Sequence, residues 1–499
     1  MSDFSRLRQV GAWAASLLIL LIGLMVRLID LTDPPVDFHP ARQFHSALIA
    51  RSYYAPAAVN LDEDTRARMV MLGATEPRIE PPIIEWITGM SWRIMGQDAL
   101  WLPRLFSIIF WLAGGVPLLL LAMRLGGWLS AQLSLMIYVL LPYGVIASRS
   151  FQPDPLMVCL LLFAAWAGVR WIERPGWGRA ILAGLLAGSA ILVKQVAIFP
   201  LAGLLVGMIL AEKGLIHSIK DRQLWLAASL ALFPAVLYNI YGVWINGFLA
   251  GQYAQRFFPE LWLDIAFYLR WAQKLDQTCG LSVVILAGIG AGLLASSRYR
   301  GMLIGWLIGY LVYGMTFAHH ISTHDYYHLP LIPWMALAVI PLLDLLIQQV
   351  RSRPADAWAR AILAAVVCGA ALYAIYQARA DLRRVDYRDE PAAWAQLGRQ
   401  LGYESSAVMG LFDDYGARMT YWSLTMPSLY QGEVDQLPWS ENQFQKISEE
   451  FLRLTEGKKY FVVSDFVHFD HRPLLKVFLL DRYPVLYQEK AYWVFNLQP

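Results

Sequence analysis

An acidic residue with basic neighbours follows the first apolar stretch of the chain. Residues 36–43 read Val-Asp-Phe-His-Pro-Ala-Arg-Gln, which places Asp37 five positions before Arg42 in a proline-rich segment. A carboxylate at a membrane surface can act as a general base on an acceptor hydroxyl or amine. It can equally cap a helix at 41–54 or pair with Arg42. The local sequence leaves these three roles open.

Two further acidic motifs have the same character. Arg78-Ile79-Glu80-Pro81-Pro82 precedes an amphipathic stretch at 83–95, where the prolines can also simply start a helix. Residues 148–155 read Ser-Arg-Ser-Phe-Gln-Pro-Asp-Pro, and Asp154 either caps the next apolar helix or contributes to a site. Each carboxylate therefore has a structural alternative beside its chemical one.

Cations accompany these carboxylates. Lys194 lies between two apolar windows, a costly place for a charge unless it reaches water or an anion, or snorkels to the interface. Basic side chains can hold an anionic headgroup through charge-assisted hydrogen bonds. The candidates for this contact are Arg42, Arg78, Arg149 and Lys194.

Residues 319–328 carry four histidines and two tyrosines. Histidine clusters can bind metal, but this spacing fits no standard ligand motif. We therefore expect no metal and no cofactor, although a divalent cation stays possible. The side chains expected to donate hydrogen bonds to a ligand are His324, Tyr326, Tyr327 and His328.

Composition identifies the class of protein that positions these groups. The 499 residues are 57% hydrophobic and only 16% charged, whereas soluble domains carry about a quarter charged residues. This excludes a disordered chain, a coiled coil and an ordinary cytosolic enzyme. A net charge of +3 is too small to indicate nucleic-acid binding. The three cysteines are isolated in apolar stretches, and we expect small buried side chains without a disulfide framework.

Eleven apolar windows are long enough to suggest membrane spans. We interpret the first as a retained span because no small-residue cleavage site follows it. The windows are 11–29, 104–123, 130–147, 155–172, 180–193, 196–211, 224–245, 279–296, 302–318, 329–348 and 360–378.

The charges of the short loops alternate in step with these windows. With a cytoplasmic N-terminus, the inner loops carry the arginines and lysines at 6, 8, 124, 174, 179, 213, 220, 222, 298, 300, 351 and 353. The short outer loops carry almost none, as the positive-inside rule requires. This orientation places all four polar motifs on the outer face of a multi-pass cell-membrane protein.

The sequence divides into a membrane domain and a tail. We assign 1–378 to the membrane domain, with outer segments at 30–103, 148–154, 246–278 and 319–328, and 379–499 to an extracytoplasmic domain. In the tail, strand-like runs at 406–412, 459–464 and 485–497 alternate with helical patterns at 390–401 and 441–455. This pattern predicts a small α/β domain.

Several motifs together resemble the GT-C superfamily of membrane glycosyltransferases. The similarity is greatest to the branch of protein O-mannosyltransferases and the lipid A aminoarabinose transferase, and it spans roughly residues 10–350. The matching elements, in chain order, are Asp37 in the first outer loop, Glu80-Pro81-Pro82, Gln152-Pro153-Asp154-Pro155, Gly184–Lys194 and Asp325-Tyr326-Tyr327-His328-Leu329-Pro330. Phe38 stands where many relatives have Glu, and no Lys interrupts Glu80-Pro81-Pro82.

The resemblance implies an all-α polytopic fold and an inverting glycosyl transfer. The donor would be a polyprenyl-phosphate sugar and the acceptor a glycan, lipid or protein. Asp37 would deprotonate the acceptor. Lys194, Arg78 or Arg149 would stabilise the leaving phosphate, and His324, Tyr326, Tyr327 and His328 would contact phosphate or sugar.

Two alternatives compete with this interpretation. One is a lipid or polysaccharide exporter and the other a non-catalytic scaffold with the same fold. Paired broken helices or charges in the middle of the spans would favour the exporter, and the sequence shows neither. The presence of Asp37 weighs against the scaffold.

Overall fold

A computed structural model describes residues 3–251, 256–352, 357–434 and 442–498. The chain forms two compact units. The helical unit contains Met1–Leu31, Arg78–Ile83 and Leu102–Arg384, and the mixed unit contains Thr32–Pro77, Ile84–Trp101 and Val385–Pro499. The segment predicted as the first outer loop therefore groups largely with the tail. Three predicted features reach outside the described residues: part of the segment 246–278, the inner-loop Arg353 and the first residue of the helix 441–455.

The helices are, in chain order, α1 (Asp3–Arg27), α2 (Pro40–Tyr54), α3 (Glu63–Thr75), α4 (Ile83–Met95), α5 (Trp101–Leu125), α6 (Trp128–Leu140), α7 (Pro142–Ala147), α8 (Asp154–Glu173), α9 (Trp177–Val193), α10 (Ile198–Lys220), α11 (Arg222–Asn239), α12 (Ile265–Cys279), α13 (Leu281–Leu293), α14 (Ser297–Thr316), α15 (Ala318–Thr323), α16 (Leu331–Ala338), α17 (Ile340–Ser352), α18 (Ala357–Leu382), α19 (Glu390–Gln400), α20 (Ala417–Ser423), α21 (Gln443–Leu454), α22 (Phe466–Asp470) and α23 (Pro473–Arg482). Helices α2–α4 and α19–α23 build the mixed unit and the others the helical unit.

Every predicted apolar window falls on a helix. Fewer than eleven of these helices are long enough and apolar enough to cross a membrane. Within the described ranges, seven segments qualify: Val10–Arg27, Trp101–Leu125, Asp154–Glu173, Gln195–Lys220, Arg222–Ile245, Leu331–Val350 and Ala357–Leu382. Helices α6 and α9 are apolar but shorter. A multi-pass membrane protein is confirmed, with seven or eight such spans.

The eighth candidate span is a sharply bent pair of helices, and the hydropathy of the sequence does not predict the bend. Helices α12 and α13 pass the test together but bend by 87°. Gly280 lies at the break with φ of 77°, a conformation that side chains rarely adopt. The predicted window at 279–296 is therefore the second arm of a bent pair that starts inside the predicted outer segment.

Loops predicted to share the inner side do meet at one end of the helical unit. Arg124 at the end of α5 pairs with Glu173 at the end of α8. The Tyr299 hydroxyl donates to the same carboxylate over 2.9 Å, and Arg298 pairs with Glu212 at 2.6 Å. These contacts agree with the alternation derived from the loop charges.

Glycines let α10 and α14 pack backbone against backbone. A Cβ added to Gly203 or Gly305 would lie 2.2 Å from the carbonyl oxygen of the other, and one added to Gly207 would lie 2.2 Å from that of Gly301. Small residues four positions apart allow this close approach in membrane helices, where packing drives association. The pair fixes α10, the helix that follows Lys194.

The mixed unit contains a five-stranded sheet of β1 (Val408–Leu411), β2 (Ser428–Leu429), β3 (Tyr460–Val463), β4 (Val485–Gln488) and β5 (Trp493–Asn496). Its order is β2-β1-β3-β5-β4. Strand β1 runs parallel to β2 and β3, and β5 runs antiparallel to β3 and β4. Strands β1 and β3 and helices α19 and α21 lie in the predicted runs, and the run 485–497 forms the two strands β4 and β5. Strand β2 and helices α20, α22 and α23 were not predicted.

Alternation along the strands buries both faces of this sheet. Phe461 and Val463 pack with Phe451 of α21, whereas Val462 lies in a second cluster with Trp394 of α19. Helices therefore cover both faces, as successive side chains of a strand point to opposite sides.

Helix α2 is tied to the rest of the mixed unit along its length. A Cβ on Gly73 of α3 would lie 2.4 Å from the Leu48 carbonyl. The buried Arg51 side chain donates to Asp98 Oδ2 over 2.8 and 2.6 Å, and its guanidinium lies 3.3 Å from the centre of the Tyr421 ring. Tail and first outer segment thus share a core.

All three cysteines are free thiols. Cys159 and Cys279 are buried as expected, but Cys368 is exposed. The prediction for Cys368 was wrong because α18 presents most of its surface away from the protein interior, where an apolar thiol can face lipid.

Candidate active site

A buried ion pair joins two of the predicted site residues. Asp154 lies in the first turn of α8, and Lys194 caps the end of the neighbouring helix α9. The Lys194 Nζ atom donates to Asp154 Oδ1 over 2.8 Å and to Oδ2 over 2.7 Å. The side chains are 6% and 2% exposed. A buried charge of this kind requires a partner.

Two tyrosines complete the surroundings of the ammonium group. Nζ lies 5.0 Å from the centre of the Tyr326 ring and 5.6 Å from that of Tyr327, within reach of cation–π attraction. An ammonium has three protons, and Asp154 accepts two of them; in the part of the chain that the structure describes, the third has no hydrogen-bond acceptor. Lys194 thus retains a donor for a ligand oxygen.

His328, also predicted as a ligand contact, lies in the interior with 0% exposure. Its Nε2 lies 3.0 Å from the Ile321 carbonyl oxygen, so this nitrogen must carry the proton. Its Nδ1 then accepts from the Tyr310 hydroxyl at 2.6 Å, which in turn accepts from Trp271. This chain of hydrogen bonds favours a positioning role for His328. Burial lowers the pKa of the His328 imidazole to about 4.

Arg149 is likewise turned inward. Its guanidinium donates to the Ile29 carbonyl over 2.5 Å and to the Asp30 carbonyl over 2.8 Å, just beyond the end of α1. Arg27, one helix turn earlier, donates to the Ser148 hydroxyl over 2.7 Å. These bonds fasten the loop before Asp154 to the end of α1, which favours a structural role for Arg149 over the predicted phosphate contact.

Asp37 lies in the mixed unit, in a bend before α2, and is partly exposed. The residue at the N-cap of α2 is His39, with φ of 44° and ψ of 62° and no side-chain cap. Asp37 is therefore not the cap that the local sequence allowed. Arg42 follows in the first turn of the helix and is also partly exposed.

Gln43 holds the Asp37 bend in place. Its side-chain amide is 1% exposed and donates to the carbonyl oxygens of Pro35 and Phe38 over 3.2 and 2.6 Å. These carbonyls lie on either side of Asp37. Sequence reasoning missed this role, although Gln43 stands in the same motif.

Arg78 and Glu80 lie in the helical unit as partly exposed residues. The Arg78 carbonyl accepts from the Tyr238 hydroxyl over 3.0 Å. Helix α4 begins at Ile83, directly after Pro81-Pro82, so helix initiation by the prolines is correct here. Helix initiation by these prolines is compatible with a binding role for Arg78 and Glu80.

The histidine-rich segment forms α15 and the turn before α16. His324 Nδ1 lies 2.8 Å from the Thr323 hydroxyl and is partly exposed. Over the described ranges, no group of three or more His, Cys, Asp or Glu side chains has the geometry to hold a metal ion.

Three comparisons with known proteins bear on this arrangement. Residues 79–241 match the profile of the dolichyl-phosphate-mannose-protein mannosyltransferase family. ArnT from Cupriavidus metallidurans, solved with bound undecaprenyl phosphate, superposes with a TM-score of 0.58 at 15% identity, covering 96% of this chain and 97% of ArnT. The chain has the GT-C fold.

Two other similarities agree with the GT-C fold. The archaeal oligosaccharyltransferase AglB from Archaeoglobus fulgidus, solved with an inhibitory peptide and a dolichol-phosphate, gives a TM-score of 0.58 at 12% identity over 100% of this chain and 75% of AglB. The lipid A galacturonosyltransferase RgtD of Rhizobium johnstonii is 25% identical over 167 residues, 32% of this chain. The alignment spans 34% of that relative.

The matched family region contains part of the candidate site. It includes Glu80, Asp154 and Lys194, whereas Asp37 and the segment 324–328 lie outside it. The predicted resemblance and fold class are confirmed, and the roles of individual side chains stay predictions.

Proposed function

We propose that this protein transfers a sugar from a polyprenyl-phosphate donor to a glycan, lipid or protein acceptor at the outer membrane surface. The observation that carries the proposal is the buried Lys194–Asp154 pair beside Tyr326 and Tyr327, within a GT-C fold. ArnT was solved with undecaprenyl phosphate and AglB with a dolichol-phosphate, so polyprenyl phosphates bind two proteins of this fold.

The proposed reaction is a single displacement. Asp37 removes the proton of the acceptor hydroxyl or amine as this group attacks the anomeric carbon. The bond between that carbon and the donor phosphate oxygen breaks, and the polyprenyl phosphate leaves with the electron pair. Inversion at the anomeric carbon is the expected stereochemical result.

Lys194 is the proposed phosphate contact. Asp154 keeps the ammonium fixed, and the third proton of Nζ stabilises the negative charge that grows on the leaving phosphate. Because a preorganised donor gains strength in a dry site, the pair contributes more here than it would at an exposed surface. Arg42, Arg78 and Glu80 are proposed to bind donor or acceptor groups.

The orientation belongs to the same proposal. We place the N-terminus in the cytoplasm and the residues after 384 outside it. The basic residues Arg124 and Arg298, with their partners Glu173 and Glu212, gather at the end of the helical unit that the loop charges assign to the inner side. Lys194 and Asp154 lie at the opposite ends of α9 and α8.

The exporter is the second candidate. The bent pair α12–α13 is the kind of broken helix that transporters use at substrate sites. Such folds repeat the break in a matching second half, and the described helices contain one bent pair only.

The test is transfer by the purified full chain in lipid nanodiscs. Undecaprenyl phosphate carrying mannose, glucose or galacturonic acid is supplied with membrane lipid extract as acceptor, and the release of undecaprenyl phosphate is followed. We expect acceptor-dependent release, lost in Lys194→Met and kept in Lys213→Met, which removes a lysine at the other end of α10. In proteoliposomes, which enclose a compartment, movement of intact loaded lipid across the bilayer without release would instead identify an exporter.

A further inference from the structure

A wall of stacked rings stands beside Lys194. The Tyr313 and Tyr327 rings are 5.8 Å apart at an angle of 14°, Tyr327 and His320 are 5.5 Å apart at 28°, and His320 and His324 are 5.8 Å apart at 26°. Tyr313 is buried, whereas the other three are partly exposed. The wall therefore has an accessible part with roughly parallel rings.

The wall adjoins the proposed phosphate contact. Lys194 Nζ lies 5.6 Å from the centre of the Tyr327 ring. In a polyprenyl-phosphate sugar, the anomeric carbon is bonded directly to a phosphate oxygen. A phosphate held by Lys194 can therefore place the sugar ring against Tyr327. Flat aromatic faces with a few polar groups are typical of sites that bind small ligands.

His320 adds a buried polar atom that lacks a protein partner within the described ranges. Its Nδ1 is buried, and no hydrogen-bond partner for it exists among the residues that the structure describes. A buried polar atom that lacks a hydrogen-bond partner destabilises the folded protein. Burial, the neighbouring His324 and His319 imidazoles, and Arg256 lower the pKa of His320 to about 4. The ring is therefore neutral near pH 7, which suits a hydroxyl partner better than a phosphate.

We propose that Tyr327, His320 and His324 form the subsite for the sugar of the donor, and that His320 Nδ1 bonds one of its hydroxyl groups. The inference rests on the proposed sugar transfer and assigns the specificity-determining surface for it. His320 then distinguishes a sugar-loaded lipid from the bare lipid phosphate, while Lys194 binds both.

The experiment compares bare and loaded lipids on the purified full chain in nanodiscs. The probes are undecaprenyl phosphate and undecaprenyl phosphate carrying mannose, glucose or galacturonic acid. We expect the wild type to bind at least one loaded lipid about tenfold more tightly than the bare lipid. His320→Phe keeps a ring but loses the nitrogen and should reduce this preference about fivefold. His320→Ala also loses the ring and should reduce it further, by about threefold.

Two controls make the outcome decisive. Tyr376→Leu changes an exposed tyrosine of α18 and should alter nothing. Affinity for the bare lipid should stay unchanged in every His320 variant. Equal loss for bare and loaded lipids in the His320 variants would overturn the subsite, as would a wild type that binds all four lipids equally. A wild type that binds none of them would overturn the proposed function itself.

Discussion

At the scale of single residues, the Lys194–Asp154 pair is the most constrained feature of the candidate site. Both charges are almost fully removed from solvent. Each would be costly alone, and together they form a compact group with two strong hydrogen bonds. A buried pair is seldom the most stable solution for packing, because hydrophobic residues of similar volume often do as well. The presence of the ion pair therefore favours a chemical role for Lys194 and Asp154 over a purely structural one.

The pair predicts a characteristic pattern of stability. Asp154→Asn leaves the ammonium buried without its counter-charge and should lower the free energy of unfolding by about 3–5 kcal/mol. Combining it with Lys194→Met removes both charges and should recover most of that loss, but not transfer activity. Denaturant unfolding in detergent micelles measures all three variants. Additive losses in the double variant would contradict the coupling.

Gln43 predicts an effect on turnover without direct contact with substrate. Gln43→Leu removes the bonds to Pro35 and Phe38 that hold the Asp37 bend. We expect kcat to fall about a hundredfold, because a small misplacement of a reacting group has this effect, while the KM for the donor stays unchanged. Gln445→Leu, on the exposed face of α21, is the control. A parallel rise in KM would indicate general damage instead.

The sequence indicated which residues gather at the candidate site better than it indicated their partners. Asp154 and Lys194 stand in motifs that resemble a family, and the structure joins them across 40 positions because α8 and α9 are antiparallel neighbours. His328 and Arg149 are predicted to contact a ligand because of their residue types and their positions in loops. Their inward bonds depend on Tyr310 and on the end of α1, which local sequence does not reveal. His320 was missed because four nearby histidines look alike until their faces are known.

At the scale of elements, hydropathy located the helices well and their breaks poorly. The window at 130–147 is divided by Pro142 into α6 and α7, and Gly280 turns the chain between α12 and α13. Hydropathy does not predict either break, because a glycine or proline within an apolar run permits a break without requiring one. Tertiary packing determines whether the helix breaks there. The amphipathic α4, in contrast, begins and ends as its pattern predicts.

The contact between α10 and α14 predicts sensitivity to a single methyl group. Gly305→Ala places a Cβ 2.2 Å from the Gly203 carbonyl oxygen, so the helices must separate. We expect a loss of about 1–3 kcal/mol of stability. Gly288→Ala on α13, where nothing lies within 4 Å of the added Cβ, is the matched control. Thermal unfolding in detergent compares the two variants. Equal unfolding midpoints for Gly305→Ala and Gly288→Ala would contradict the close contact between α10 and α14.

At the scale of the whole molecule, the grouping of the first outer segment with the tail was beyond sequence analysis. Arg51 and Tyr421 are 370 positions apart, and no periodicity connects them. Four of the five strands of the tail were predictable because they lie in short apolar runs between turns, whereas β2 is too short to be recognised. The shared core gives the tail a structural role, because it supports α2, the helix that follows Asp37.

Topology predicts the behaviour of reporter fusions. Alkaline phosphatase joined after residue 498 should be active, because we place the mixed unit outside the cytoplasm. Green fluorescent protein should fluoresce when it is inserted after residue 174, in a loop with basic residues. The opposite result at both sites would invert the orientation and remove the candidate site from the outer face.

The central claim is that Asp37 is the general base of a sugar transfer from polyprenyl phosphate. The most direct test measures single-turnover transfer and donor binding for the wild type and for Asp37→Asn, in which an amide of the same size cannot accept the proton. We predict unchanged donor affinity and a rate lower by about 10²–10⁴-fold. An Asp37→Asn variant with more than half of the wild-type rate would contradict it.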